Sequence, residues 1–226
     1  MAEVMRNGFD RELSELHREL IDMGSLIEQS IDRAVKAFED RDVLLAREAV
    51  ESDRQINDQE RRIESHCLKL LLQQQPVATD LRMISTALKM ITDMERIGDH
   101  AADISEITLR LAADSVVAHT ENILRMAKET IDMVKKSVDA FVQHDLSLAQ
   151  EVIRQDDVVD ELFDKTKEEL VKLIQEDAEK GRQFIDLVLV AKYFERMGDD
   201  AERIAGWAVF RATGEHALHS ADTEKD

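Results

Sequence analysis

The chain has 226 residues, of which 43% are hydrophobic and only 4% aromatic, with one proline, seven glycines and a formal net charge of −19. So few turn-forming residues argue against strands and hairpins, and the composition is that of long amphipathic helices. The acidic balance argues against nucleic acid, which needs clustered Lys and Arg. It also argues against direct capture of free phosphate, because no glycine-rich anion loop offsets it; cations or basic partner surfaces fit better.

Residues 1–11 have no apolar core of the kind a signal peptide needs, and no stretch approaches the ~20 apolar residues of a membrane span. The expected location is the cytoplasm. The first helix is predicted from about Asp10 to Phe38, with Leu13, Leu16, Leu20, Met23, Ile27, Ile31, Ala34 and Phe38 at i+3 and i+4 steps. Asp42 reads as the N-cap of a second helix, which carries Leu45, Ala49, Ile56, Ile63, Cys67, Leu70 and Leu71 on its apolar face. Cys67 is the only cysteine, so no intrachain disulfide forms, and its leucine-rich surroundings predict a buried small hydrophobe. Pro76, the sole proline, suits the first turn of a third helix that runs on through Leu111. After a joint near Asp114-Ser115 come helices over about Ser115–Phe141, Leu146–Glu176 and Arg182–Thr213, and then a polar tail, 214–226, expected to be mobile.

The second half repeats the first. Phe38 to Ala46 aligns with Phe141 to Ala149, and Asp53-x-x-Ile56 with Asp156-x-x-Val159, both at an offset of 103. From Arg82 and Arg182 onward the offset is 100, and Glu95-Arg96-Ile97-Gly98-Asp99 returns as Glu195-Arg196-Met197-Gly198-Asp199. The predicted fold class is therefore all-α: two tandem three-helix bundles, residues 1–114 and 115–213, packed against each other.

Residues i and i+4 share a helix face, so Glu95/Asp99 and Glu195/Asp199 are close acid pairs, each beside a mid-helix glycine. Asp103 extends the first row, whereas its counterpart is Arg203. Asp156 and Asp160 form another pair; in the first copy Asp53 is kept but Asn57 replaces the second acid. If these rows face each other, carboxylates converge, and like charges that close must be protonated or bridged by cations. The candidate metal ligands are Asp53, Glu95, Asp99, Asp103, Asp156, Asp160, Glu195 and Asp199, a set of oxygen donors that accepts Mg, Ca, Mn, Fe or Zn. The competing reading is a solvated face on which Arg96 and Arg196 make surface salt bridges. His100 is read as polar surface rather than a ligand, since its counterpart is Asp200; Tyr193, Trp207 and Phe210 are read as packing residues. No E-x-x-H motif points to a di-iron oxidase, and no nucleophile–base motif to an enzyme.

Asp53-x-x-Ile56, Glu60 to Leu72, Gln74-Gln75-Pro76-Val77-Ala78-Thr79-Asp80-Leu81-Arg82, Asp93 to Asp99 and the echo at Glu195 to Asp199 together resemble the PhoU family of phosphate-uptake regulators. The resemblance spans about residues 9–212. It implies paired three-helix bundles and a cytoplasmic, non-enzymatic adaptor, often a homodimer. Such an adaptor would work between the ATPase of a phosphate ABC transporter and a phosphate-sensing histidine kinase, reaching the membrane only through them. It would hold the phosphate-starvation response off. It further implies multinuclear iron or zinc at the E/D-x-x-x-D motifs, which here are Glu95/Asp99, Glu195/Asp199 and Asp156/Asp160. A metal-buffering protein and a paralogue controlling another pathway are the alternatives.

Overall fold

The structure, a computed structural model, describes residues 2–74, 76, 79–112 and 120–215. Its helices are α1 (Ala2–Asp40), α2 (Val43–Gln74), α3 (Thr79–Leu111), α4 (Glu121–Gln143), α5 (Leu146–Glu176) and α6 (Gly181–Thr213), with a 3-10 turn, Ala178–Lys180, leading into α6. No strand occurs among the described residues.

The apolar stripes do what their spacing predicts. Leu16, Leu20, Met23, Ile27, Ile31 and Ala34 of α1 have no solvent exposure, nor do Ile63 and Cys67 of α2. Helices α1, α2 and α3 pack as one bundle and α4, α5 and α6 as another; α3 lies against α6 and α1 against α4, so one hydrophobic core runs through both. The repeat extends to how its helices stop. α1 and α4 each run into a left-handed residue, Arg41 (φ 54°) and His144 (φ 59°). The next amide, Asp42 or Asp145, bonds back to Ala37 or Ala140 at 3.0 Å, as in a Schellman turn. The same aspartates then cap the following helices: Asp42 Oδ1 accepts from the amides of Leu44 (2.9 Å) and Leu45 (3.0 Å), and Asp145 Oδ1 from Leu148 (3.0 Å).

Three boundaries differ from the sequence reading. α1 starts at Ala2 rather than near Asp10, because Phe9 continues the buried stripe one turn ahead of Leu13. Pro76 is not in the first turn of α3 but ahead of it, and Thr79 and Asp80 open the helix; Asp80 is placed where a negative charge suits the helix dipole. α4 starts at Glu121, not Ser115. The Asp114-Ser115 joint and residues 216–226 of the tail lie outside the described residues.

Where α3 crosses α6, the contact is polar. Asp200 is wholly buried; Arg96 Nη1 stands 3.3 Å and His100 Nε2 3.6 Å from its carboxylate, and Arg203 pairs with it too. Asp93 accepts from Arg203 Nε (3.1 Å) and Trp207 Nε1 (2.9 Å). His100 is therefore no surface residue: it is packed between the bundles, its ring centroid 5.4 Å from that of Tyr193. Burial pushes it down to about 4, leaving the imidazole neutral at neutral pH.

Removing Asp200 would take from Arg96 and Arg203 the wholly buried one of the two anions they share, leaving them Asp93 alone. In chemical denaturation, Asp200→Ala is expected to cost about 2–3 kcal/mol. The exposed N-cap change Asp42→Ala should cost about 1 kcal/mol.

Candidate carboxylate metal centres

The acid rows face each other across two separate grooves. In the first, α2 offers Asp53 and Glu60, and α3 offers Glu95 and Asp99. Asp53 and Asp99 are close enough that a proton on Asp53 would be accepted by Asp99, while Asp53 Oδ1 is buried without a hydrogen-bond partner. Asn57 donates through Nδ2 to Asp53 Oδ2 at 2.8 Å. The amide thus occupies one oxygen of the acid it stands beside, where the second copy has Asp160. Asp103 sits at the groove's edge and is shared with the bundle interface, 3.9 Å from His100 Nδ1, and, after burial, its charge helps raise Tyr193.

The second groove brings together Asp156 and Asp160 of α5 with Glu195 and Asp199 of α6. It adds Glu202, which the sequence reading missed although it lies three residues after Asp199 on the same face. Asp156 Oδ1 and Glu195 Oε2 are buried without hydrogen-bond partners. Lys192 pairs with Glu195 and lies over the Phe163 ring at 5.1 Å, so this groove carries a partial counter-charge of its own. Arg203, the counterpart of Asp103, turns away to Asp93 and Asp200. Arg96, with its side chain 46% exposed, pairs with Asp200 and Asp93 across the junction of the bundles.

The two mid-helix glycines make these approaches possible. A Cβ on Gly98 would stand 2.8 Å from Ile56 Cδ1, and one on Gly198 would stand 3.0 Å from Asp156 Oδ1. A larger residue would have to displace the Ile56 side chain between α2 and α3, or the Asp156 carboxylate between α5 and α6.

Crowding acids in partly buried grooves disfavours their charged forms. Asp156 is pushed up to about 7, first by burial and then by Glu202, Asp160, Asp199 and Glu195. Glu95 is raised by burial, then by Asp99, Glu60 and Asp53. Burial also raises Asp53, Asp99, Asp160, Glu195 and Glu202, with neighbouring carboxylates adding to it. Among the described residues no three His, Cys, Asp or Glu side chains are already set as a metal cage. The donor set nevertheless suits a hard cation, since one buried carboxylate oxygen in the first groove and two in the second lack partners. Asp53, Glu95 and Asp99 would hold it in one groove, and Asp156, Asp160, Glu195 and Asp199 in the other, after rotating toward a common point.

A duplicated, all-helical protein with one carboxylate groove per copy is the class that fold and site define. The profile of the PhoU domain matches residues 20–108 and again 123–208. The chain belongs to the PhoU family. It is 37% identical over 212 residues to the "phosphate-specific transport system accessory protein PhoU homolog" of Clostridium acetobutylicum, covering 93% of this chain and 97% of that one. The homologue from Aquifex aeolicus is 36% identical over 215 residues, 95% and 97% of the two chains. The crystal structure of PhoU from Pseudomonas aeruginosa superposes with a TM-score of 0.88 at 32% identity, covering 92% of this chain and all of that one. That of the phosphate transport system regulatory protein PhoU from Streptococcus pneumoniae gives 0.84 at 27%.

A group whose folded pKa is raised stabilises the fold below its unfolded pKa, and that stability is lost as pH rises through the folded value. The metal-free protein should therefore melt at a lower temperature as pH goes from about 4 to about 7, the window set by Asp156. Thermal melts in chelator should show a shallower slope for Asp156→Asn. An identical slope would mean that the groove does not hold the acid as described.

Proposed function

We propose that this chain is an accessory regulator of a phosphate-specific transport system and acts by binding rather than by catalysis. In this reading it works in the cytoplasm as a negative regulator. It docks on the ATPase of a phosphate ABC transporter and on a phosphate-sensing histidine kinase, and keeps the starvation response off while phosphate is plentiful. What supports it is family membership across both halves of the chain, together with relatives named as accessory proteins of such systems. No helix among the described residues is long and apolar enough to cross a membrane, so contact with the transporter would run through partner surfaces. The acidic grooves and the net charge of −19 suit basic partner faces and speed their encounter. A homodimer is part of the proposal.

Metal in the grooves is the second element. A cation at each would remove the repulsion among the carboxylates, stiffen α2 against α3 and α5 against α6, and supply charge rather than chemistry. The partnerless oxygens of Asp53, Asp156 and Glu195 also favour the alternative in which metal holding is itself the function.

Deletion of the gene is expected to leave the phosphate-starvation response on in phosphate-rich medium; normal repression without the protein would defeat the proposal. Elemental analysis of protein purified without chelator separates its two elements. Wild type should carry metal, and Glu95→Ala and Asp199→Ala should lose it from their own grooves. If those metal-depleted variants still repress, metal is structural; if repression goes with the metal, the grooves are the working part.

A further inference from the structure

At one end of the paired bundles, where α1, α3, α4 and α6 meet, a buried arginine and two histidines come together. A half-open cavity of about 440 Å³ there is lined by His17, Thr79, Asp80, His144 and Arg211, with Leu13 and Met83 on its apolar side. Arg211 is only 6% exposed. It donates from Nη1 to the Phe141 carbonyl (2.6 Å) and from Nη2 to His17 Nε2 (3.1 Å) and His144 Nε2 (2.8 Å).

A guanidinium can only donate, so both Nε2 atoms are acceptors and both rings are neutral with the proton on Nδ1. None of Arg211's three partners carries a negative charge. Among the described residues no carboxylate lies within 4 Å of it. The end of the α4 dipole at Phe141 offsets part of the charge, but a buried cation without a counter-ion is costly.

A second guanidinium adds to the imbalance. Gly214 caps α6 in the left-handed conformation (φ 82°), and a Cβ there would stand 3.0 Å from Arg82 Nη1. Arg82 is therefore laid against the residue two positions past Ala212, which also lines the cavity. It too has no acid within 4 Å among the described residues. The first turn of α3, at Thr79 and Asp80, brings the positive end of a 33-residue helix to the same place. The chain has 49 acids against 30 Lys and Arg, yet among the described residues Asp80 is the one acid in this lining.

We propose that this pocket is a binding site for a small oxyanion of the phosphate or sulfate class, held by Arg211 and the first-turn amides of α3, with Arg82, which stands beside Gly214 rather than in the lining itself, reaching over its rim. The site is distinct from the carboxylate grooves: Thr79 and Glu95 are roughly 24 Å apart along α3. It needs no glycine-rich loop, because its donors come from side chains and one helix end. Burial, then Arg211 and His144, push His17 down to about 4, and burial and Arg211 lower His144. The imidazoles thus bring no charge until an anion enters. Asp80 opposes binding and sets its strength.

The test is NMR of the histidine ring protons in the full chain, assigned with His17→Gln and His144→Gln, during titration with inorganic phosphate at constant ionic strength. Saturable shifts of His17 and His144 are expected, with chloride producing none. Sulfate acting like phosphate supports a general oxyanion site, and phosphate acting alone supports a selective one. Arg82→Gln, on a partly exposed side chain whose loss spares the core, should weaken binding about tenfold, and Asp80→Asn should tighten it. The proposal is overturned by the absence of saturation, by equal shifts with chloride, or by Arg82→Gln binding like wild type.

Discussion

The buried carboxylate of Asp200 is the interaction on which the arrangement of this molecule turns. Each three-helix unit could bury its own stripe of leucine and isoleucine, but apolar contact has no direction and leaves neighbouring helices free to slide. Where α3 crosses α6, Asp200 holds Arg96 and Arg203 while Asp93 takes Arg203 and Trp207. The ion pairs to Asp200 and the hydrogen bonds to Asp93, which form together in only one geometry, set the register of one bundle on the other. With that register in place, α1 meets α4, and Arg211 of α6 arrives beside His17 of α1 and His144 after α4.

The same register divides the repeated motif into two faces. In Glu95-Arg96-Ile97-Gly98-Asp99, Glu95 and Asp99 look into the groove with α2, Ile97 and Gly98 are buried, and Arg96 reaches the other bundle. One short stretch therefore serves a solvent-side acid site and the junction between bundles. The second copy divides alike, with Glu195 and Asp199 in the groove and buried Asp200 at the junction. The copies have diverged where the pseudo-symmetric partners meet: His100 faces Asp200, and Arg203 has left the position of a groove acid to pair across the interface. The grooves are consequently unequal, the first having an amide at Asn57 and the second its own lysine at Lys192.

Much of the fold was legible in the sequence because it is written in local periods. Leucine and isoleucine at steps of three and four marked the helices, Asp42 marked a cap, and equal offsets marked the duplication. The groove acids were legible for the same reason, since residues four apart on a helix share a face whatever that helix packs against. Glu202 carried the same signal at a step of three. Glu60 carried none, because its counterpart by offset is Phe163 and only the pairing of α2 with α3 brings it to Glu95. Pro76 misled because its fit to a helix start is a preference, and the connection to α3 runs on past it.

Sequence alone determined that this chain makes two similar helical triplets and lines each with acids, because helix formation and facial spacing depend on residues within a turn or two of one another. It could not determine that His100 is packed between the bundles, that Arg96 spans them, or that Arg211 sits among two histidines with no acid beside it among the described residues. Those facts arise from residues 67 to 194 positions apart, brought together only when the bundles dock, and no local pattern encodes an encounter at that range. Tertiary structure decided where the charge is unbalanced, because burial and the identity of distant neighbours, rather than composition, set the cost of a charge.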